Sequence, residues 1–193
     1  MTDARIVRTR ASLRAAILDL ASKKPVTEIT VSELAAAADI NRVTFYKHYT
    51  SPAEALGEAL QTELDCARDA VLARQAEDDS NASDALLGGL ELILDHVARH
   101  RSLYERSVTA MDDGAVPWTL SEHFSDTIKM YIEKRADELK CEGRFDVNIV
   151  AGFYGAGLVG AVYTWVKSGE TDTAPLVDSI SQMIPSWWFE KQD

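Results

Sequence analysis

Apolar side chains recur along this chain at helical intervals almost throughout. Leu13, Ala16, Ile17, Leu20 and Ala21 occupy the i, i+3, i+4, i+7 and i+8 positions of one face. They predict an amphipathic helix over residues 5–23, with Arg5, Arg8, Arg10 and Arg14 toward its start. Lys24 and Pro25 end it, because proline disfavours helical angles in the residue before it. Thr30 is followed three residues later by Glu33, a capping box in which hydroxyl and carboxylate satisfy each other's unpaired amides and start a helix at Val31. Asp39 and Ile40 break that helix, and Asn41 is placed to cap a second, short one from Arg42 to Tyr49. Ser51 with Pro52, a cap followed by proline at the first helical position, opens a long helix to about Gln75.

Residues 77–83, EDDSNAS, are polar and acidic without apolar periodicity and read as a linker or loop between an N-terminal unit and the rest. Beyond them the pattern predicts helices near 84–100, 102–111, 117–141, 146–168 and 174–184. Asp112-Asp113-Gly114, Glu142-Gly143 and Gly169 supply breaks, Pro117 and Pro175 supply starts, and Pro185 ends or kinks the last helix. Strand alternation, internal repeats and low-complexity tracts are missing, so the expected class is all-α.

Charge narrows the functions open to such a chain. Its 193 residues carry 20 Lys/Arg against 31 Asp/Glu, a net charge of -11, which excludes a general phosphate-coating role. Any contact with nucleic acid must be local. Residues 1–55 hold eight Lys/Arg and six Asp/Glu, whereas the remainder holds twelve against twenty-five. Cys66 and Cys141 have no CxxC partner and no His at ligand spacing, so they read as thiols of a reducing cytosol, with neither a disulfide framework nor a zinc site expected. The first ten residues place charge where a secretory signal needs an apolar run, so no signal peptide is expected. Val147 to Val166 is uncharged for twenty residues, long enough to cross a bilayer. Four Gly, Asn148, two Tyr and Thr164, with only Lys167 beside them as an anchor, favour a buried helix of a soluble protein instead.

Two helices joined by a tight turn form the geometry that sets one helix in a DNA major groove while its predecessor braces it. On a wheel advancing about 100° per residue, Arg42, Tyr46, Val43 and Lys47 fall on one contiguous arc. Phe45 and Tyr49 form an adjacent aromatic pair that can pack on Leu34, Ala38 and Ile40. Arginine forks onto guanine, valine or threonine meets a thymine methyl, and tyrosine, lysine and histidine donate to phosphate. Arg42 and Lys47 are the base and phosphate candidates; the same two cations also suit an ordinary solvated helix face. His48 lies between the anchoring side and solvent, suited equally to contact and to packing.

The run from Ile29 to Leu56, ITVSELAAAADINRVTFYKHYTSPAEAL, resembles the helix-turn-helix signature of the tetracycline-repressor-like (TetR) regulators, with RTRASLRAAILDLASKKP in the place of the preceding helix. The resemblance covers roughly the first 56 residues and rests on the Thr-Phe-Tyr-x-His-Tyr core and its distance from the ITVSELA helix. It implies that Asn41, Arg42, Val43 and Thr44 meet bases or adjoining phosphates, that Tyr46, Lys47 and His48 grip the backbone, and that Thr30 sits at a helix start near phosphate. It also implies an arm formed by Arg5, Arg8 and Arg10. The expected organisation is a three-helix DNA-binding domain over residues 1–56, followed by a helical effector-binding and dimerisation domain over 57–193. Two positions depart from the family: Asp39 stands where Gly is frequent in the turn, and Pro52 where a phosphate-contacting Lys is usual. Asp can still take a left-handed turn, but the missing Lys removes one counterion-releasing contact.

In the acidic C-terminal part, Gly152, Ala156 and Gly160 recur every four residues and form a small-residue stripe along the 146–168 helix. A helix apolar on every side must be covered on every side. It is therefore expected, with the segment from Pro175 to the Trp187, Trp188 and Phe189 tail, to pack against its copy in a homodimer; the resemblance implies the same, since the family dimerises through its last two helices. His96, Tyr104, Met111, Trp118, His123, Phe124, Met130 and Tyr131 mix aromatics, sulfur and imidazole, as a small-molecule pocket or a plain core does. His96, Tyr104, Trp118, Phe124 and Tyr131 are the ligand candidates. His96 and His100 are spaced to share a metal but lack an evident third ligand, so neither a metal site nor a cofactor is expected.

The resemblance thus implies a cytoplasmic, ligand-responsive DNA-binding repressor whose partners are a double-stranded operator, a small-molecule effector and a second copy, with no membrane. In that scheme the effector changes the angle of the Pro52–Gln75 helix and releases the operator. The alternative is a regulator-like coactivator acting through protein partners, motivated by Pro52 and the acidic bulk. An enzyme is not expected, because nucleophilic triads, Gly-rich phosphate loops and metal-binding carboxylate pairs are not recognisable.

Overall fold

The structure is a computed structural model that describes residues 4–77, 82–109, 114–134 and 145–185. Its elements are α1 (Ala4–Ala21), a single 3-10 turn (Val26–Glu28), α2 (Val31–Ala37), α3 (Arg42–Phe45), α4 (Pro52–Glu77), α5 (Ala82–Arg99), α6 (Arg101–Thr109), α7 (Ala115–Lys134), α8 (Val147–Ser168) and α9 (Ala174–Ser181). Among the described residues there is no strand, and the fold is all-α as the periodicity predicts. Several expectations shift at their edges. The first helix ends at Ala21, residues 82 and 83 are already helical, and the helix after the tight turn is α-helical only to Phe45. Met111, Cys141, Trp187, Trp188 and Phe189 lie outside the described residues.

Two compact units divide the chain. One comprises Met1–Thr62 with His100–Thr119, the other Glu63–Arg99 with Leu120–Asp193. The domain boundary is expected at residue 56; the compact units divide later, within α4, and residues 100–119 group with the N-terminal unit. Local periodicity tells which face of a helix is buried, not which distant segment covers it. In the first unit Leu13, Ile17, Leu34, Phe45, Leu56, Leu60 and Tyr104 are fully buried. The return of residues 100–119 is fastened by Arg106 Nε, which donates to the Ser22 carbonyl at 2.9 Å.

In the second unit Ile128, Ile132 and Ala151 are buried together, with Tyr131, Val150, Tyr154 and Leu158 packed against them. Asp146 caps α8 by accepting from the Asn148 amide at 2.8 Å, and Gly169 stops it in a left-handed conformation at φ 79°. Trp165 Nε1 donates to the Asp172 carbonyl at 2.9 Å, fixing the turn into α9. The close approach of α8 to α7 depends on Gly155. A Cβ there would overlap Ser125 Oγ and press on the Ser121 carbonyl oxygen at 3.0 Å and the Ser125 nitrogen at 3.1 Å. Gly155→Val is expected to destabilise the protein by about 1–3 kcal/mol through overpacking. Gly88→Ala, where a Cβ meets no atom within 4 Å, should instead stabilise it by up to about 1 kcal/mol. Urea unfolding of both variants checks the contrast.

Candidate nucleic-acid interface

The turn between α2 and α3 is built from side-chain caps and one unusual backbone angle. The Glu33 amide donates to Thr30 Oγ1 at 3.2 Å and the Thr30 amide to Glu33 Oε2 at 3.3 Å, so both halves of the expected capping box are present. Lys24 Nζ reaches over to Glu33 Oε1 at 2.7 Å. Leu34 and Ala35 bury the inner face of α2. Asp39 then takes φ 54°, the left-handed conformation expected where glycine is common, and the Ile40 amide turns back to the Ala35 carbonyl at 2.9 Å. Asn41 Oδ1 accepts from the Thr44 amide at 2.7 Å and starts α3.

Beyond Phe45 the chain tightens. Lys47 donates to the Thr44 carbonyl at 3.2 Å and His48 to the Phe45 carbonyl at 2.8 Å, both three residues back, which replaces the α-helix expected to Tyr49 by hydrogen-bonded turns. The next cap follows at once. The Glu54 amide donates to Ser51 Oγ at 3.2 Å, and the Thr50 amide donates to Glu54 Oε2 at 2.6 Å.

The two faces separate as the helical wheel predicts. Phe45 and Tyr49 are buried, with ring centroids 6.0 Å apart, and Leu34 and Ala38 are buried in the same unit. Asn41, Arg42, Val43, Tyr46 and Lys47 are exposed, Val43 by 68% and Tyr46 by 54%. Such exposure of a valine and a tyrosine leaves two apolar surfaces in water beside two cations. Among the described residues, neither Arg42 nor Lys47 is held in an ion pair. Thr30 is exposed and Thr44 is half-buried. His48 is half-buried too, its ring 6.4 Å from that of Tyr49. Arg5, Arg8 and Arg10 lie on α1 itself, so from residue 4 they belong to a helix and not to an extended arm. Arg10 Nη1 stands 3.7 Å from Glu58 Oε1. Burial and the Glu58 carboxylate push the Tyr49 phenol above its ordinary pKa, which keeps it protonated.

Acid should loosen these caps. The Lys24 ammonium and the Thr30 amide hold the Glu33 carboxyl below its ordinary value of 4.5, and the Thr50 hydroxyl and amide do the same for Glu54. Both groups bind protons more weakly folded than unfolded. Their stabilisation is therefore complete above pH 4.5 and is lost as pH falls through the lowered folded values. A Glu33→Gln, Glu54→Gln double variant is expected to show a shallower acid-side fall in Tm than the wild type, read by circular dichroism.

The C-terminal candidates are divided between the two compact units. Tyr104 and Trp118 belong to the first unit, whereas His96, Phe124 and Tyr131 belong to the second. Tyr104 is fully buried, but Trp118 is 66% exposed. In the second unit Phe124 is buried and Tyr131 packs on the Ile128, Ile132 and Ala151 cluster. His96 is fully buried with Nδ1 3.1 Å from Glu63 Oε2. A carboxylate donor thus stands beside His96, where sequence spacing offers only His100. Likewise His123, also fully buried, has Nδ1 3.4 Å from Asp65 Oδ1. Sequence reasoning missed both imidazole–carboxylate pairs, because each joins α4 to a helix far along the chain.

The small-residue stripe emerges on the surface. Gly152, Ala156 and Gly160 are exposed, in line with Ile149 and Phe153, which are 71% and 72% exposed. A Cβ at Gly152, Gly157 or Gly160 would meet no atom within 4 Å, so no segment of the described protomer covers this side of α8.

Comparison with known proteins places the chain. Residues 84–186, more than half of it, match the TetR family model described as "Transcriptional regulator C-terminal region". The chain belongs to the TetR family of transcriptional regulators. Over 60 residues, 31% of the chain, it is 43% identical to the Uncharacterized HTH-type transcriptional regulator YxbF of Bacillus subtilis (strain 168); the match spans 16% of that relative's own length. The fold is similar to that of Thermus thermophilus FadR, a TetR-family repressor solved in complex with lauroyl-CoA, with TM-score 0.68 and 17% identity over 90% of this chain and 92% of that one. It is also similar to the fatty acid degradation regulator FadR of Bacillus halodurans, with TM-score 0.66 and 16% identity over 90% and 93%.

Proposed function

We propose that the protein is a cytoplasmic homodimeric repressor that reads a DNA operator through Asn41, Arg42, Val43, Thr44, Tyr46, Lys47 and His48, with Thr30 beside a phosphate, and releases it when a small molecule binds the C-terminal part. The observation that carries this reading is the division of one turn of chain into two faces. Phe45 and Tyr49 are buried beneath it, while Arg42, Val43, Tyr46 and Lys47 are exposed, with neither Arg42 nor Lys47 in an ion pair among the described residues. That arrangement costs solvation order and gains nothing within the protomer, whereas a groove supplies guanine acceptors, a thymine methyl and phosphates.

The exposed apolar stripe on α8 supports the second copy, which also provides the second recognition element needed for a two-fold operator. α4 runs through the boundary at Thr62 and Glu63, so it is the covalent route by which an effector can bias the DNA-binding unit. Such coupling is reciprocal: DNA weakens effector binding as much as effector weakens DNA binding. The lauroyl-CoA held by the Thermus relative supports effector control in principle and leaves this chain's own ligand to be derived from its own residues.

The test is fluorescence anisotropy with duplexes tiling the DNA upstream of the protein's own gene. Saturable, competitor-resistant binding to one duplex supports the proposal. Binding to none of them by a folded protein would favour the coactivator reading.

A further inference from the structure

The second unit contains a buried polar cluster with atoms left without hydrogen bonds among the described residues. Asp65 Oδ1, on α4, stands 3.1 Å from Arg68 Nη2 and 3.4 Å from His123 Nδ1 on α7. One carboxylate oxygen thus gathers a guanidinium and an imidazole. Four residues along α7, and so on the same face as His123, comes Thr127. Among the described residues, Arg68 Nε, both nitrogens of His123 and Thr127 Oγ1 are buried without a hydrogen bond. Leu120, Phe124 and Ile128, all buried, line the same stretch of α7 with apolar surface. Folded proteins pair nearly all buried polar atoms, and several orphans at one place mark a missing partner.

The chemistry of that partner can be read from the atoms. Burial, first, and the Arg68 charge, second, lower the His123 pKa, so the ring is neutral. With Asp65 facing Nδ1, the stable tautomer carries its proton there and leaves a lone pair on Nε2. Nε2 therefore requires a donor. Asp65 and Asp69, the latter 3.6 Å from Arg68 Nε, outnumber the single guanidinium, and Asp126 adds a further negative charge toward His123. This balance repels a carboxylate or phosphate. An ammonium is opposed by Arg68, which already occupies the Asp65 oxygen.

Resting on the effector-responsive reading above, we infer that His123 Nε2 and Thr127 Oγ1 form the recognition point for an uncharged, hydroxyl-bearing effector with an apolar body. The hydroxyl donates to His123 and accepts from Thr127, and its hydrocarbon lies along Leu120 and Phe124.

Three eight-carbon probes with the same body separate the possibilities: 1-octanol, octanoate and octylammonium. They are titrated into the full-length dimer while the His123 ring nitrogens are followed by NMR. Octanol is expected to shift Nε2 and to bind at least about 10-fold more tightly than either charged probe. His123→Phe and Thr127→Val should each weaken octanol at least about 10-fold, and Thr127→Val should not lower Tm, since it removes a buried hydroxyl without a hydrogen bond among the described residues. Tighter binding of octanoate or octylammonium, octanol affinity unchanged in both variants, or a fall in Tm without any probe response would each overturn the inference, the last by showing a structural water at the site. Operator binding by His123→Phe is measured in parallel. Wild type that binds operator but shows no octanol binding sinks this inference alone, whereas an operator that even the wild type does not bind sinks the reading beneath it.

Discussion

Arg42→Ala is expected to weaken binding to the operator by roughly 5- to 150-fold, the equivalent of about 1–3 kcal/mol for a bidentate base contact. Lys47→Ala should behave differently. A phosphate contact carries no sequence information, so its loss weakens all duplexes alike and reduces the slope of log affinity against log salt by about one. Neither side chain supports the fold: both are exposed, and the anchoring beneath them belongs to Phe45 and Tyr49. Helicity and dimerisation should therefore remain at wild-type level in both variants. Anisotropy titrations at several salt concentrations, on operator and scrambled duplexes, give both quantities. Unchanged affinity in the two variants would move the reading surface elsewhere.

The second large effect is expected at the middle of the uncovered stripe. Ala156→Glu places a carboxylate beside Gly152, Phe153 and Gly160, which are exposed in the protomer. If a second copy covers this side, the charge is buried without a partner, at a cost of about 3–5 kcal/mol, so the dimer dissociation constant rises at least roughly 100-fold. The protomer itself has no reason to unfold, because position 156 faces water within it. Sedimentation velocity at micromolar concentration should show a monomer with wild-type circular dichroism, and affinity for a two-fold operator should fall with it. A variant that stays dimeric would place the interface on another surface.

Much of the helix-turn-helix region was legible because its determinants are local. Thr30 with Glu33, Asn41 with Thr44, and the turn at Asp39 each depend on residues within three or four positions. The burial of Phe45 and Tyr49 followed from their four-residue spacing. The early end of α3 was not legible, since bonds from Lys47 and His48 to carbonyls three residues back differ from helical ones only in reach. The turn at Val26–Glu28 is too short to leave a periodic trace.

The C-terminal part was harder for a physical reason. Four glycines in α8 announce close packing but do not say on which side. Gly155 meets α7, whereas a Cβ at Gly152, Gly157 or Gly160 would meet no atom of the described residues within 4 Å. His96 and His123 were visible as residues, but their carboxylates, Glu63 and Asp65, are supplied by α4 across long stretches of chain. Composition groups Tyr104 and Trp118 with His96, Phe124 and Tyr131 but carries no information on compact units, and the first two lie in one unit and the other three in the second.

The interleaved path of the polypeptide has a consequence for anyone dissecting the gene. A fragment ending at residue 56 retains every side chain of the proposed reading face, yet it loses Arg106, which ties down the Ser22 carbonyl, and Tyr104, which is fully buried in that unit. Scissors applied at the apparent junction would excise a motif stripped of part of its own interior. The integrity of the helix-turn-helix unit thus depends on residues encoded well downstream.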